Sequence, residues 1–205
     1  FQIPSYTTFD QTAPAVAMDA SGNFLVVWDR HNHDDSDSDV FGQRFDSTGL
    51  PVGTEFRVNS YTTGRQSYPA AAADGAGRLI VVWSSYGQDG SNSGVFGQRF
   101  DSAGLPLGTE FQVNTYTLDH QQDPAVAAGE SGGFVVVWNS WYQDGSGFGV
   151  FGQRFDSTGR QVRREFQVNS YTTNSQYYPG VATDGSGNFV VVWSRLLEDG
   201  SCHGV

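Results

Sequence analysis

The stretch PAVAMDASGNFLVVW, residues 14–28, decides the fold because close copies of it recur along the chain. The copies begin at Pro69, Pro124 and Pro179. The tryptophans that end the four copies stand 55 residues apart each time, at Trp28, Trp83, Trp138 and Trp193. A fixed spacing without insertions indicates one structural unit repeated in tandem. We therefore expect residues 1–205 to form a single repeat domain.

Each repeat predicts four short β-strands. The first begins at the proline and consists of small residues, as in PAAAAD. The second is a continuous apolar run such as FVVVW, which is typical of a strand buried on both faces. Sequences such as DGSGN between them favour a tight hairpin turn. VFGQRFD predicts the third strand, and EFRVN or EFQVN predicts the fourth after the loop-like link DSTGLPVGTE.

Four strands per unit are typical of a propeller blade. The sequence predicts an all-β protein, a β-propeller with four blade-like repeats of short antiparallel strands, the last blade incomplete. First strands made of small residues fit the crowded space near the propeller axis. The Val and Trp side chains of the second strands would pack between blades. A stacked solenoid and a chain of separate small β domains are the alternatives. We expect an N-terminal strand, residues 1–5, to close the last blade; otherwise neighbouring repeats or a strand-donating partner would pair there.

Composition excludes several classes of function. The net charge is −11 and all eleven basic residues are Arg, which argues against nucleic acid as a partner. Cys202 is the only cysteine, so no disulfide forms within the chain. The apolar runs, such as residues 134–138, are far shorter than a membrane span.

The string QDGSxxGVFGQRFDSxG, followed by EFQVNxYT, PAVA and FVVVW, resembles a tandem repeat of large secreted bacterial proteins. Those proteins also carry hemolysin-type calcium-binding or cadherin-like adhesin modules. The resemblance covers nearly the whole chain. It implies an extracellular or bacterial cell-surface location and a non-enzymatic role. It identifies no ligand-binding or catalytic residue in this sequence.

The loop after each Trp strand is the most variable part of the repeat, and loops on a rigid scaffold often bind ligands. Its aromatic, amide and carboxylate side chains are the groups that bind a sugar ring and its hydroxyls. The candidate glycan-binding residues are Tyr86, Gln88, Asp89, Trp141, Tyr142, Gln143, Asp144, Glu198 and Asp199. The alternative is that Asp-Gly-Ser merely forms a turn in these loops.

In the first repeat this loop alternates acidic residues, and Asp35, Asp37 and Asp39 offer oxygen ligands for calcium. The match to a known calcium loop is poor, because Val40 stands where an EF-hand has its sharp-turn glycine. A solvated acidic loop is the alternative.

GESGG at residues 129–133 is a hairpin turn rather than a nucleophile elbow, so it does not predict a catalytic site. Arg44, Arg99 and Arg154 recur in the third strand, each two residues before an aspartate, and predict either an ion pair with that aspartate or a link to a neighbouring blade. The sequence thus favours a non-enzymatic recognition or adhesion module that binds a glycan or a cell-surface protein. A structural spacer or assembly repeat, stiffened by calcium, is the alternative function.

Overall fold

The computed structural model describes Ile3, residues 8–31 and residues 37–195, and its regular structure there is entirely β. Four antiparallel sheets follow one another, one per repeat, and we call them the first to fourth blades. The first blade contains β1 (Gln11–Met18), β2 (Phe24–His31), β3 (Ser38–Phe45) and β4 (Pro51–Arg57). The second contains β5 (Gln66–Ala73), β6 (Leu79–Tyr86), β7 (Ser93–Phe100) and β8 (Phe111–Gln112). The third contains β9 (Gln121–Ala128), β10 (Phe134–Trp141), β11 (Phe148–Phe155) and β12 (Gln161–Gln167), and the fourth contains β13 (Gln176–Thr183) and β14 (Phe189–Arg195).

The hairpin turns between the first two strands of each blade are held by an aspartate in three repeats of the four. In the first blade the Asp19 carboxylate accepts the backbone N–H groups of Ser21 and Asn23, at 2.8 and 2.9 Å. These bonds and the side-chain bond from Asn23 lower the pKa of Asp19. Gly22 follows at a φ of 83°, a conformation that costs glycine little. The DASGN sequence therefore forms a hairpin turn that its aspartate stabilises.

The second strands supply the packing between blades, as the sequence predicts. Leu25 and Val27 of the first blade are fully buried against Leu79 and Val81 of the second. The same positions join the second blade to the third and the third to the fourth. Burial of such a side chain stabilises by roughly 1.5–3 kcal/mol, so these contacts dominate the attachment of one blade to the next.

The first strands lie side by side around an axis: β1 packs against β5, β5 against β9 and β9 against β13. This arrangement confirms the predicted β-propeller and places the small residues nearest the axis. Each of these strands carries a β-bulge at its proline. In the second blade, for example, Tyr68 and Pro69 both lie opposite Trp83.

Arginines of the third strands tie consecutive blades together on the face that carries the hairpin turns. Arg44 donates to the carbonyl oxygens of Ser102 and Ala103 in the second blade. Arg99 makes the same two bonds to the third blade, at Ser157 and Thr158. The predicted link between blades is confirmed, and its acceptors are backbone carbonyls rather than carboxylates.

The fourth strands differ from the prediction. In the first and third blades they begin at Pro51 and Gln161, inside the link that the sequence assigned to a loop. In the second blade the strand is short, although the N–H of Leu107 still donates to the Arg99 carbonyl. Backbone pairing with the third strand therefore extends the fourth strand beyond its EFRVN core.

The outer faces of the first and fourth blades are partly exposed. Val190 and Val192 of the fourth blade are 62% and 53% exposed, and Val16 and Met18 of the first are 61% and 62% exposed. Ile3 packs on the Trp28 cluster of the first blade. Most of residues 1–5 lie outside the described ranges, so a closing strand there stays a prediction, as does a partner at the last blade. The described part of the chain contains no helix that is long and apolar enough to cross a membrane.

Candidate functional site

The residues at the four bulges surround one opening on the propeller axis. Its volume is about 330 Å³. Four Pro residues and the residue before each line it, namely Ala13, Pro14, Tyr68, Pro69, Asp123, Pro124, Tyr178 and Pro179. The residue before each proline has a φ of 47–54°. This left-handed conformation costs a non-glycine residue about 1–2 kcal/mol. Bulges of this kind re-aim side chains, and here they direct a variable residue towards the axis.

A larger cleft of about 490 Å³ lies between the second and third blades and meets this opening. Tyr68, Asp123 and Tyr178 belong to both. The remaining walls of the cleft are mostly polar and comprise Arg65, Ser67, Ser84, Tyr86, Ser93, His120 and Gln122. The cleft therefore combines three tyrosine rings with hydroxyl, amide, imidazole, guanidinium and carboxyl groups.

Two positions that hold aromatic side chains at the next blade interface hold small or narrow ones at the cleft. Between the third and fourth blades the equivalent space holds Phe148 and Tyr177, whose rings are 5.5 Å apart. The corresponding residues between the second and third blades are Ser93 and Gln122. Ser93 is held in place by the imidazole of His120, 3.4 Å from its hydroxyl. The same two positions hold Ser38 and Ser67 between the first and second blades, so these side chains contribute to the open space but do not by themselves define the cleft.

Asp123 is the carboxylate among the described residues that line the cleft. Burial raises its pKa, and hydrogen bonds from the amides of Asn139 and Gln122 oppose the rise in part. Both amides donate to Oδ2, at 3.0 and 3.4 Å. The backbone N–H of Asp123 donates to the Ser84 hydroxyl at 3.2 Å. The side chain is therefore fixed in position at the junction of cleft and axis.

We expect Asp123→Asn to raise the melting temperature at neutral pH by a few degrees. The pKa of Asp123 in the folded protein lies above its ordinary value of 3.8, so folding favours the protonated acid. The free energy of unfolding therefore falls as the pH rises through the folded-state pKa. Asparagine removes that titration, keeps an oxygen for Asn139 and tolerates positive φ. Thermal melts of both proteins from pH 3 to pH 8 check this. The difference should shrink towards pH 3, and a wild type more stable than the variant at pH 7 contradicts the assignment.

The predicted loop residues of the second blade divide into two groups. Tyr86 is 51% exposed and lines the cleft. Gln88 donates to Glu110 and accepts from the Ser85 hydroxyl at 2.7 Å. Asp89 accepts the backbone N–H of Ser91 at 3.1 Å. The amide and the carboxylate thus stabilise the loop, as the turn alternative requires, and only the aromatic residue faces the cleft.

The third blade repeats this division. Gln143 donates to Glu165, and Asp144 accepts from Ser146 and Asn169, at 3.2 Å each. Trp141 and Tyr142 form an aromatic pair with ring centroids 5.2 Å apart. Glu198 and Asp199 lie outside the described residues. Glycan binding by the predicted set stays a prediction.

Two of the three predicted calcium ligands, Asp37 and Asp39, lie within the described residues. Asp39 accepts the Asn59 amide at 2.6 Å and lies 3.8 Å from Arg57. Over residues 8–31 and 37–195 no three acidic, His or Cys side chains form a metal-binding cluster. Asp35 lies outside those ranges, so calcium binding by Asp35, Asp37 and Asp39 stays a prediction.

Sequence reasoning missed Tyr68, Asp123 and Tyr178. The signal was present: the two residues between the constant glutamine and the constant proline vary from repeat to repeat, and the second of them is Ala, Tyr, Asp and Tyr in turn. A position that varies within a regular repeat indicates that it does not serve the common fold alone. The contact of Ser93 with the next blade, by contrast, has no signature in linear sequence.

A second cavity, of about 340 Å³, lies on the opposite face between the third and fourth blades. Arg154, Phe155 and Phe189 are among its lining residues. At the two preceding blade interfaces the equivalent arginines, Arg44 and Arg99, bond to carbonyls of the following blade. We therefore attribute this cavity to an incompletely packed blade interface.

Comparison with known proteins supports the fold. No protein-family description and no curated protein matches the chain. Among solved structures, an endo-arabinase from Bacteroides thetaiotaomicron superposes with a TM-score of 0.57 at 14% identity, over 95% of this chain and 74% of that one. An endo-1,4-beta-xylanase from the same organism gives 0.58 at 11% identity, over 93% and 67%. The fucose-specific lectin from Aleuria aurantia gives 0.56 at 14% identity, over 91% and 55%.

These neighbours show that the fold is a β-propeller. They also correct one expectation. The prediction that the chain is not an enzyme is wrong, because glycoside hydrolases have the same fold and the fold therefore does not exclude catalysis. The prediction depended on the lack of a catalytic motif in the linear sequence. A propeller assembles its central site from residues of different blades, so such a motif is not required.

Proposed function

We propose that this chain is a glycan-binding β-propeller domain whose site is the cleft between the second and third blades. The observation that carries the proposal is the junction of Tyr68, Asp123 and Tyr178, where the cleft meets the axial opening. All three side chains project from strained backbone, and strain of this kind is often retained at functional sites.

The chemistry of the cleft suits a sugar. Tyrosine rings offer flat apolar faces for the C–H groups of a sugar ring, and Tyr68 and Tyr178 are 48% and 70% exposed. Ser67, Ser93 and Gln122 offer groups that both donate and accept hydrogen bonds, as sugar hydroxyls require. The volume of about 490 Å³ lies within the range of small-molecule sites. The carboxyl oxygens of Asp123 add acceptors for sugar hydroxyls at the same place.

The names of the structural neighbours support a carbohydrate ligand. An endo-arabinase, an endo-1,4-beta-xylanase and a fucose-specific lectin share the fold. They direct the choice of probes towards arabinose, xylose and fucose. The proposal includes the setting that the repeat resemblance implies, recognition of glycans at a bacterial cell surface or outside the cell. Fractionation of the producing cells tests that setting.

The experiment is calorimetric titration of the protein with fucose and with arabino- and xylo-oligosaccharides of two to six units. We expect at least one series to bind saturably at one site. The same samples are analysed by chromatography for released sugars, because glycoside hydrolases share this fold. If none of these probes binds at millimolar concentration, the proposal is wrong for these sugars.

A further inference from the structure

A row of aromatic rings leads away from the cleft across the third and fourth blades. Successive ring centroids are separated by 5.2 Å from Tyr142 to Trp141 and by 4.7 Å from Trp141 to Phe148. The next spacings are 5.5 Å from Phe148 to Tyr177 and 5.9 Å from Tyr177 to Tyr178. We call these five residues the aromatic strip.

The strip and the cleft share Tyr178, so they form one continuous surface. The exposed ends of the strip are Tyr142, at 54%, and Tyr178, at 70%, and the three rings between them are half-buried. Neighbouring rings contact one another at interplanar angles of 38–65°, and together they form an apolar surface along which a chain of sugar residues can lie. A surface of this form suits a ligand longer than the cleft.

Tyr142 occupies a position where the fold itself favours glycine. Its φ is 57°, and the equivalent residue of the second blade is Gly87, at 77°. The turn is the same in both blades: the N–H of Tyr142 donates to the Gly147 carbonyl at 2.6 Å, and that of Gly87 donates to the Asn92 carbonyl at 2.7 Å. A bulky residue in this conformation costs stability, so the fold does not explain the tyrosine.

From these observations we infer that the ligand is an extended oligosaccharide, bound with one part in the cleft and the rest along the aromatic strip. This inference depends on the proposed function and names its ligand class: an internal segment of a glycan chain rather than a single terminal sugar. Tyr142 is the farthest contact from the cleft and therefore acts only on long ligands.

The test is the variant Tyr142→Gly, titrated with the arabino- and xylo-oligosaccharides of two to six units. For the wild type we expect affinity to rise with chain length. For the variant we expect about a tenfold loss for the hexasaccharide, as for removal of an aromatic anchor, and no change for the disaccharide. Its melting temperature should equal or exceed that of the wild type, because glycine relieves the strained backbone.

Leu105→Ala is the matched control, since Leu105 is 64% exposed and lies in a turn of the second blade, away from the strip. It should leave all affinities unchanged. Equal affinities for disaccharide and hexasaccharide, or a Tyr142→Gly variant that binds the hexasaccharide as the wild type does, would overturn the inference and leave the cleft proposal standing. Binding of fucose but of neither series would overturn the inference alone, and lack of binding by fucose and by every member of both series would overturn both.

Discussion

Replacement of Trp83 by alanine is expected to destabilise the protein by about 3–5 kcal/mol, the usual cost of removing a large aromatic side chain from a core. Trp83 is fully buried, packs with Leu25 and Val27 of the first blade, and donates from Nε1 to the Gln66 side chain at 3.2 Å. The substitution therefore removes core packing and also leaves a buried acceptor without its donor.

Trp193→Ala is the matched control because Trp193 holds the same repeat position in the fourth blade. There Trp193 itself is only half-buried, whereas Trp83 is fully buried. We expect its cost to be less than half that of Trp83→Ala. Urea unfolding of the three proteins measures both values. Equal losses would show that the two positions are packed alike, contrary to the interfaces described above.

Replacement of Ser93 by phenylalanine is expected to lower the affinity for the glycan at least tenfold. Phenylalanine is the residue that the next repeat has at this position, where Phe148 contacts both Trp141 and Tyr177. At position 93 the ring would fill the cleft between Tyr86 and Gln122. Because the change copies a packing arrangement that the fold already contains, we expect no loss of stability.

Ser93→Ala separates loss of space from loss of the hydroxyl. It removes the hydroxyl that contacts His120 and faces the sugar but leaves the cleft open, so its loss of affinity should be much smaller than that of Ser93→Phe. Titration of both variants with the tightest oligosaccharide checks the expectation. A Ser93→Phe protein that stays folded and binds with unchanged affinity would show that the ligand does not enter this cleft.

Much of the fold could be predicted because the same pattern of strands and turns occurs four times in the sequence. The constant spacing, the small first strands and the apolar second strands each have one physical explanation in a propeller, and Leu25 and Val27 pack as that explanation requires. The bonds of Arg99 to the next blade were also predictable in kind, since a charged residue at a fixed repeat position needs a recurring partner.

The site was less predictable because it depends on contacts between repeats. Gln88 and Gln143 look like sugar ligands in sequence, yet each donates to a glutamate of the fourth-strand region, Glu110 or Glu165. The importance of Asp123 depends on its burial and on the bulge that turns it towards the axis, and neither is visible in a linear pattern. Tyr86 was found because its loop position is exposed in any propeller.

The most direct test of the central claim is a crystal structure of the protein with the tightest arabino- or xylo-oligosaccharide. We predict density for the sugar between the second and third blades, in contact with Tyr68, Asp123 and Tyr178. Sugar bound elsewhere, with this cleft empty, would contradict the assignment of the site.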